Sequence, residues 1–269
     1  AYLDADGNPT TDPSRYVYDY DGYRLADAGR DAFAETEFNM RQTARNQQNV
    51  NTYVTFFPIE GLNITANYSY NNVDRRRKVY ENPKVGDGAP GGRFNILSTR
   101  ATTQTLNQLI SYNKDFGKHT VDVMVGHESY AYKYEYLYSM KNTEIVNGIY
   151  EFDNFVNISS VSSYTDEYKK EGYFARLNYD YADKYYVSAS YRHDGSSRFH
   201  KDHRWGNFYS VGLSWRVSEE EFMKDITWVN SLKLRASYGE TGNDQILDSD
   251  GYNSYYPFQT LYTLGKNNG

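Results

Sequence analysis

The sequence contains no cysteine, which excludes both a disulfide framework and a thiolate metal site. No stretch approaches the ~20 consecutive apolar residues of a membrane helix, and the start carries no signal-peptide pattern. A basic excess is missing too. Its 29 Lys and Arg against 35 Asp and Glu leave a net charge of −6, which argues against the phosphate-binding footprint of a nucleic-acid partner. No sequence feature calls for a cofactor.

Tyrosine is plentiful, with 30 residues against 13 Phe and 3 Trp. Mean hydropathy is low, as in a soluble protein. A barrel wall, however, is apolar only at alternate positions, and its loops and lumen are polar. Tyrosine suits a membrane interface because its ring is apolar while its hydroxyl stays wet. A surface carbohydrate-binding β-domain is the rival reading of the same composition.

Four segments between Gly172 and Tyr238 alternate with period 2. Tyr173, Ala175, Leu177, Tyr179 and Tyr181 share one face against Arg176, Asn178 and Asp180. Beyond a turn at Ala182-Asp183-Lys184, Tyr185, Val187, Ala189 and Tyr191 oppose Tyr186, Ser188, Ser190 and Arg192. Next, Tyr209, Val211, Leu213 and Trp215 oppose Ser210, Gly212, Ser214 and Arg216. Finally Leu232, Leu234, Ala236 and Tyr238 oppose Lys233, Arg235 and Ser237. Successive side chains on a strand point to opposite faces, so each segment has an apolar and a polar wall.

Two hairpins precede these segments. Val50, Thr52, Val54 and Phe56, a turn at Pro58 to Gly61, and Leu62, Ile64, Ala66, Tyr68 and Tyr70 form the clearer one. Leu106, Ile110 and Tyr112, a turn at Lys114 to Lys118, and Val121, Val123 and Val125 form the other. Short turns at 58–61, 114–118, 182–184 and 217–230 alternate with predicted loops at 71–101, 127–171, 193–204 and 239 onward. The pattern predicts an all-β, partial antiparallel transmembrane β-barrel of about eight membrane strands, with short periplasmic turns and long extracellular loops. Leu62, Ile64, Tyr173, Leu177, Val187, Val211, Leu213, Trp215, Leu232 and Leu234 are its expected lipid-facing wall. Residues 47–244 are read as barrel, with loop regions at 1–46 and 245–269.

The runs YFARLNYDYADKYYVSASYRHDGSSRF, RWGNFYSVGLSWRVSEEEFM and LKLRASYGETGND resemble the barrel of SusC/RagA-like TonB-dependent transporters. Several separate blocks occur in that family's order and spacing. The resemblance implies a TonB-dependent importer of oligosaccharides or peptides in a Gram-negative, Bacteroidetes-like outer membrane. Its implied partners are a SusD-like surface lipoprotein, the TonB complex and outer-membrane lipid. No plug domain or TonB box is visible, so an internal piece of a longer protein is expected, roughly a third of a wall of about 22 strands. A porin or a siderophore-type receptor is the alternative within membrane barrels.

Candidate substrate contacts are loop residues Tyr134, Tyr136, His193, Asp194 and Arg198, with lumen residues Arg176, Arg192 and Arg216. The stripe Tyr130, Tyr132, Tyr134, Tyr136, Tyr138 reads first as the upper end of a strand and second as a sugar-stacking surface. His193, Asp194 and Ser196 invite a hydrolase reading, but there is no nucleophile elbow, and a loop with Asp194-Gly195 in a turn is preferred. No catalytic residue is assigned. His193, His200 and His203 match no standard metal-ligand spacing. Asp4, Asp6, Asn8, Thr10 and Asp12 fall at calcium-loop spacing, yet Pro9 stands where the turn glycine belongs and Arg15 where the bidentate glutamate belongs. Arg75, Arg76, Arg77 and Lys78 form a basic cluster, read as a solvated face. Ser218 is expected to cap a short helix whose first turn holds Glu219, Glu220 and Glu221.

Overall fold

In the computed structural model, which describes residues 2–3, 9–10 and 32–259, the alternating segments are strands of one sheet. β1 (Tyr2–Leu3) and β2 (Pro9–Thr10) pair by themselves. A short helix, α1 (Ala32–Phe38), leads into β3 (Met40–Ile59). Then come β4 (Leu62–Glu81), β5 (Arg93–Phe116), β6 (His119–Glu144), β7 (Phe155–Tyr181), β8 (Tyr185–Ser196), β9 (Trp205–Arg216) and β10 (Lys233–Gly239). The eight strands from β3 to β10 lie side by side in sequence order, so the sheet is an open meander with β3 and β10 at its edges. Of the calcium-like run, Asp4, Asp6, Asn8 and Asp12 lie outside the described residues, as do Arg15 and the stretch Asp19 to Gly22.

Local chemistry fixes the short turns. Ala182 and Asp183 both have φ of 56°, the left-handed pair of a two-residue hairpin turn, and Lys184 N–H closes it on Tyr181 O at 3.0 Å. Gly61 has φ of +81°, and a β-carbon there would strike the carbonyl of Asn113 on the adjacent strand, so only glycine fits.

Contacts divide the chain into two units. The first comprises Ala1–Gln47, Val73–Ala101 and Tyr134–Thr165; the second comprises Gln48–Asn72, Thr102–Lys133 and Asp166–Gly269. The first unit has a small aromatic core. Phe94 stacks on Phe155 with centroids 5.6 Å apart, and Tyr80 meets Phe155 edge-on at 6.4 Å. All three rings are almost fully buried, with Met40, Ile96, Tyr150 and Phe152 against them. Burial, then a 2.7 Å hydrogen bond to Glu144 Oε2, holds the Tyr80 hydroxyl well above its ordinary pKa. The loop beyond β6 is clasped by Asn154, whose amide donates to Val146 O (2.7 Å) and Ile149 O (2.9 Å) while its oxygen accepts from Val146 N–H. Asn154→Ala is expected to cost about 1–2 kcal/mol, the order expected for unpairing such groups. Faster hydrogen exchange at Val146, with unchanged protection in β8 and β9, would show it.

In the second unit the register builds two faces. Tyr179, Val187 and Leu213 line up across β7, β8 and β9, with Tyr185 opposite Trp215 and Trp215 opposite Leu234. Asn178, Ser188, Gly212 and Ser237 line up in the same way on the opposite face. Tyr209, Val211, Leu213, Leu234 and Tyr238 are all exposed on the apolar face. An exposed apolar sheet face this large is a surface built to be covered.

Strand lengths correct several expectations. Positions 71–101, read as a loop, are mostly strand, since β4 runs to Glu81 and β5 starts at Arg93. The 127–171 excursion is likewise β6 to Glu144 and β7 from Phe155. β3 begins at Met40, seven positions before the alternation at Gln47. Apolar alternation reports a face covered on one side. Where both faces are polar or aromatic, the hydrogen-bonded ladder continues without that signal.

The helix expected after Ser218 is absent. Two single 3-10 turns stand there instead (Val217–Glu219 and Glu221–Met223), neither capped by a side chain. Ser218 N–H is spent on Leu232 O at 3.2 Å. Glu220 is drawn toward the strands by Tyr185 OH (2.5 Å), Trp215 Nε1 (3.1 Å) and Lys184 Nζ (3.3 Å). These strand contacts outcompete a helical first turn.

Candidate functional site

The apolar face of the second unit carries two rows of rings. At the long-loop end, His127 stacks on Tyr173 at 4.8 Å, Tyr173 approaches Trp205 at 6.2 Å, and His193 stacks on Trp205 at 4.7 Å. At the short-turn end, His119 meets Tyr181 at 4.9 Å, Tyr181 meets Tyr185 at 6.4 Å, and Tyr185 meets Trp215 at 6.5 Å. Between the rows lie Val187, Val211 and Leu213. Leu62, Ile64, Leu177, Leu232 and Leu234 belong to the same apolar set, and all are at least partly exposed.

The polar face gathers charge and small side chains. Arg176 reaches Asp122 at 3.8 Å, and Asn178 donates to the same carboxylate at 3.2 Å. Lys233 Nζ sits 3.6 Å from the centre of the Tyr186 ring, and Arg216 lies over that ring at 5.6 Å.

Toward the long-loop end this face forms a cleft of about 420 Å³. One wall is Arg192, which donates to both oxygens of Asp194 at 3.0 Å and stacks over Phe174 at 4.9 Å. Gly172 opposite leaves room for Asp194, since a β-carbon there would collide with its Oδ1. On the other wall Gly242 lies against Phe208, with no space for a β-carbon.

Asp244, at the end of the segment after β10, ties this wall down. Its Oδ2 accepts from Ser196 Oγ at 2.9 Å and from the Tyr168 hydroxyl, and its Oδ1 pairs with Lys170 Nζ at 2.9 Å. Arg198, 6% exposed, donates to its backbone carbonyl at 2.9 Å. The Arg198 guanidinium sits over Tyr168 at 4.5 Å and over Tyr255 at 5.3 Å. Tyr255 stacks in turn on Tyr132 at 6.2 Å, and Tyr256 OH accepts from Glu167 N–H at 3.0 Å. Desolvation alone would raise the Asp244 carboxyl, but bonds from Lys170 and Ser196 and the charges of Lys170 and Arg198 outweigh it and lower its pKa. The segment behind Asp244 is thereby strapped onto the polar face.

The expected site residues separate accordingly. Arg192 and Asp194 line the cleft, Arg198 anchors the strap, and Arg176 and Arg216 share the polar face nearer the short turns. His193, expected in a loop, is a β8 residue on the apolar face, paired with Tyr173 and bonded through Nδ1 to Asn207 Oδ1 at 2.7 Å. Asp194-Gly195 is strand rather than turn. Adjacent strand positions point to opposite faces, so His193 and Asp194 cannot act on one substrate. Arg198 takes the Asp244 carbonyl while Lys170 takes its carboxylate. In the first unit, Tyr134 and Tyr136 both pack on Tyr164, at 6.1 and 4.7 Å, within strands rather than a loop. Lys78 of the basic cluster is tied to Glu151 at 2.7 Å. Asp244, Lys170, Tyr168 and Tyr255 carry no local signal, because their meeting is decided by how the segment after β10 folds back.

Residues 1–268 match the family described as TonB dependent receptor-like, beta-barrel. TonB-dependent receptor P39 of Formosa agariphila is 31% identical over 254 residues, covering 91% of this chain and 24% of that protein. TonB-dependent receptor SusC of Bacteroides thetaiotaomicron is 33% identical over 165 residues, covering 58% of the chain and 16% of SusC. Among solved structures, the RagAB peptide importer in its open-open state superposes with a TM-score of 0.79 at 25% identity, over 90% of this chain and 27% of that one. The chain thus spans about a quarter of the length of relatives such as P39.

Proposed function

The chain belongs to the family of TonB-dependent receptor-like β-barrels, proteins of the bacterial outer membrane, and from that premise we propose that it forms part of the wall of a nutrient importer. Its apolar face meets lipid and its polar face lines the lumen. The observation that carries this reading is the pair of aromatic rows on one face. Trp205 and Trp215 close the two ends of the 12-residue β9. At ~3.3 Å per residue they lie about 33 Å apart along the strand. With a strand tilt of ~40° that becomes about 25 Å, the height of an outer-membrane barrel's apolar band between its aromatic girdles. The short turns then face the periplasm, and the long-loop end with its cleft opens outside the cell.

Substrates in this reading are oligosaccharides or peptides, handed over by a SusD-like surface lipoprotein and admitted with energy from the TonB complex. TonB-dependent receptor SusC and the RagAB peptide importer, to which the chain is similar, support the dependence on TonB and a peptide cargo. The cleft of Arg192 and Asp194 is the first polar wall such a substrate meets. Arg192→Ala in the full-length transporter is expected to slow uptake about tenfold, the equivalent of ~1.4 kcal/mol, at unchanged surface abundance. Uptake of labelled oligosaccharides and peptides into cells with and without TonB checks the reading. Equal uptake in both strains would leave a passive pore and remove the energised importer.

A further inference from the structure

On the polar face, near the short turns, lies a hollow of about 380 Å³. Small side chains leave the space: Ser188, Gly212 and Ser237 stand in one row across β8, β9 and β10, with Ser214 beside them. Acids flank this floor on one side, Asp122 on β6 and Asp180 on β7. Cations flank it on the other, Lys233 and Arg235 on β10, with Arg216 of β9 opposite Lys233 in register. The row Asp180, Tyr186, Ser214, Arg235 sets the two sides three strands apart, about 14 Å between backbones.

The two sides differ in what they have left to offer. Asp122 Oδ1 accepts from Asn178 at 3.2 Å and faces Arg176 at 3.8 Å. Asp180 Oδ1 accepts from Asp183 N–H at 3.1 Å, and its Oδ2 is buried out of reach. The cations are not spoken for in this way. Among the described residues, Arg216, Lys233 and Arg235 form no ion pair with a carboxylate; Lys233 and Arg216 lie over the Tyr186 ring instead. In a chain of net charge −6, three cations gathered without an acid are a local feature. A recess walled by one sign of charge concentrates counter-ions, and a guanidinium matches a carboxylate through two parallel hydrogen bonds.

We propose that this hollow is a carboxylate station on the path of the cargo. Arg235, Lys233 and Arg216 hold an acidic group of the passing oligomer, so acidic cargo is favoured over neutral or cationic cargo of equal length. The proposal rests on the reading that the polar face lines the lumen of an importer. A uronic acid residue and an aspartate or glutamate side chain present the same carboxylate, and the test tells the two apart.

The test uses the full-length transporter in cells and two pairs of labelled hexamers, hexagalacturonate against maltohexaose and hexaglutamate against hexalysine. The acidic member of at least one pair should enter about tenfold faster than its mate, and the pair that responds identifies the source of the carboxylate. Lys233→Gln combined with Arg235→Gln should remove that advantage at unchanged surface abundance, leaving the rate of the other member as it was. In the otherwise parental protein, a photoreactive benzoylphenylalanine at Ser237, two positions along the same face from Arg235, should cross-link to the acidic hexamer during uptake. No acidic preference in either pair would overturn the station. So would an equal loss for both members in the double variant, or cross-links to the transporter's own chain alone. Uptake of all four hexamers that is unchanged without TonB would instead remove the importer reading beneath it, so the two failures are distinguishable.

Discussion

Arginine at Leu213 is expected to destabilise the inserted protein by about 1–2 kcal/mol, between the ~2–4 kcal/mol of a cation at the bilayer midplane and the ~0–1 kcal/mol of one at the interface on a barrel's lipid face. Leu213 is 56% exposed on the apolar face and lies between the two aromatic rows, directly opposite Val187. Val187→Arg should cost the same. Asn178→Lys supplies the contrast. Asn178 is on the polar face, donates to Asp122 at 3.2 Å and shares its surroundings with Asp180. A cation there gains carboxylate neighbours and should change stability by less than about 1 kcal/mol, the worth of a partly exposed pair. Urea unfolding of the full-length protein in lipid vesicles would measure all three. Similar losses in the three variants would mean that the faces are assigned wrongly.

Asp244→Ala is expected to release the segment from 245 to 259. The substitution removes the acceptor for Ser196, Lys170 and Tyr168 at once, and leaves Lys170 without its ion pair and Arg198 buried between two rings. Breaking a buried pair by deleting one partner costs about 3–5 kcal/mol, and the 22% exposure of the Asp244 side chain places this case at or below the low end. Limited proteolysis should therefore cut within 245–259 at least about tenfold faster, given that 1.4 kcal/mol is a factor of ten. Barrel heat stability should hardly change. The pH sign follows from the lowered pKa. The latch is at full strength above the unfolded aspartate value of about 3.9 and weakens as pH falls through the lower folded value. Protease sensitivity in the parent should thus be flat from pH 8 to about 5 and rise only below about 4. Asp244→Asn, which keeps the shape but loses the charge, should lie between parent and alanine.

Much of the membrane-level wall was legible in the sequence because one of its faces is covered by apolar surroundings. Val187, Leu213 and Leu234 alternate with Ser188, Ser214 and Arg235, and a period of 2 admits no other face assignment. The turn at Ala182-Asp183 was equally clear from the break in that alternation. The long strand extensions were not legible. Between Val73 and Glu81, or between Phe155 and Lys170, both faces carry polar or aromatic side chains, so the ladder runs on without apolar contrast. His193 shows a related effect: the polar run His-Asp-Gly-Ser-Ser that it opens reads as loop, although its partners Tyr173 and Asn207 make it a strand residue on the aromatic row. The Asp244 latch joins residues up to 76 positions apart in sequence, and no local pattern announces such a meeting.

The central claim is that one face of this sheet meets lipid and the other a lumen. Oxygen accessibility of nitroxide spin labels, placed one at a time from Tyr185 to Tyr191 and from Tyr209 to Trp215 in the full-length protein in lipid bilayers, tests it most directly. The account predicts maxima at 187, 189, 211 and 213 and minima at 186, 188, 190, 210, 212 and 214. Uniform accessibility along both strands, or maxima at the even positions, would contradict it.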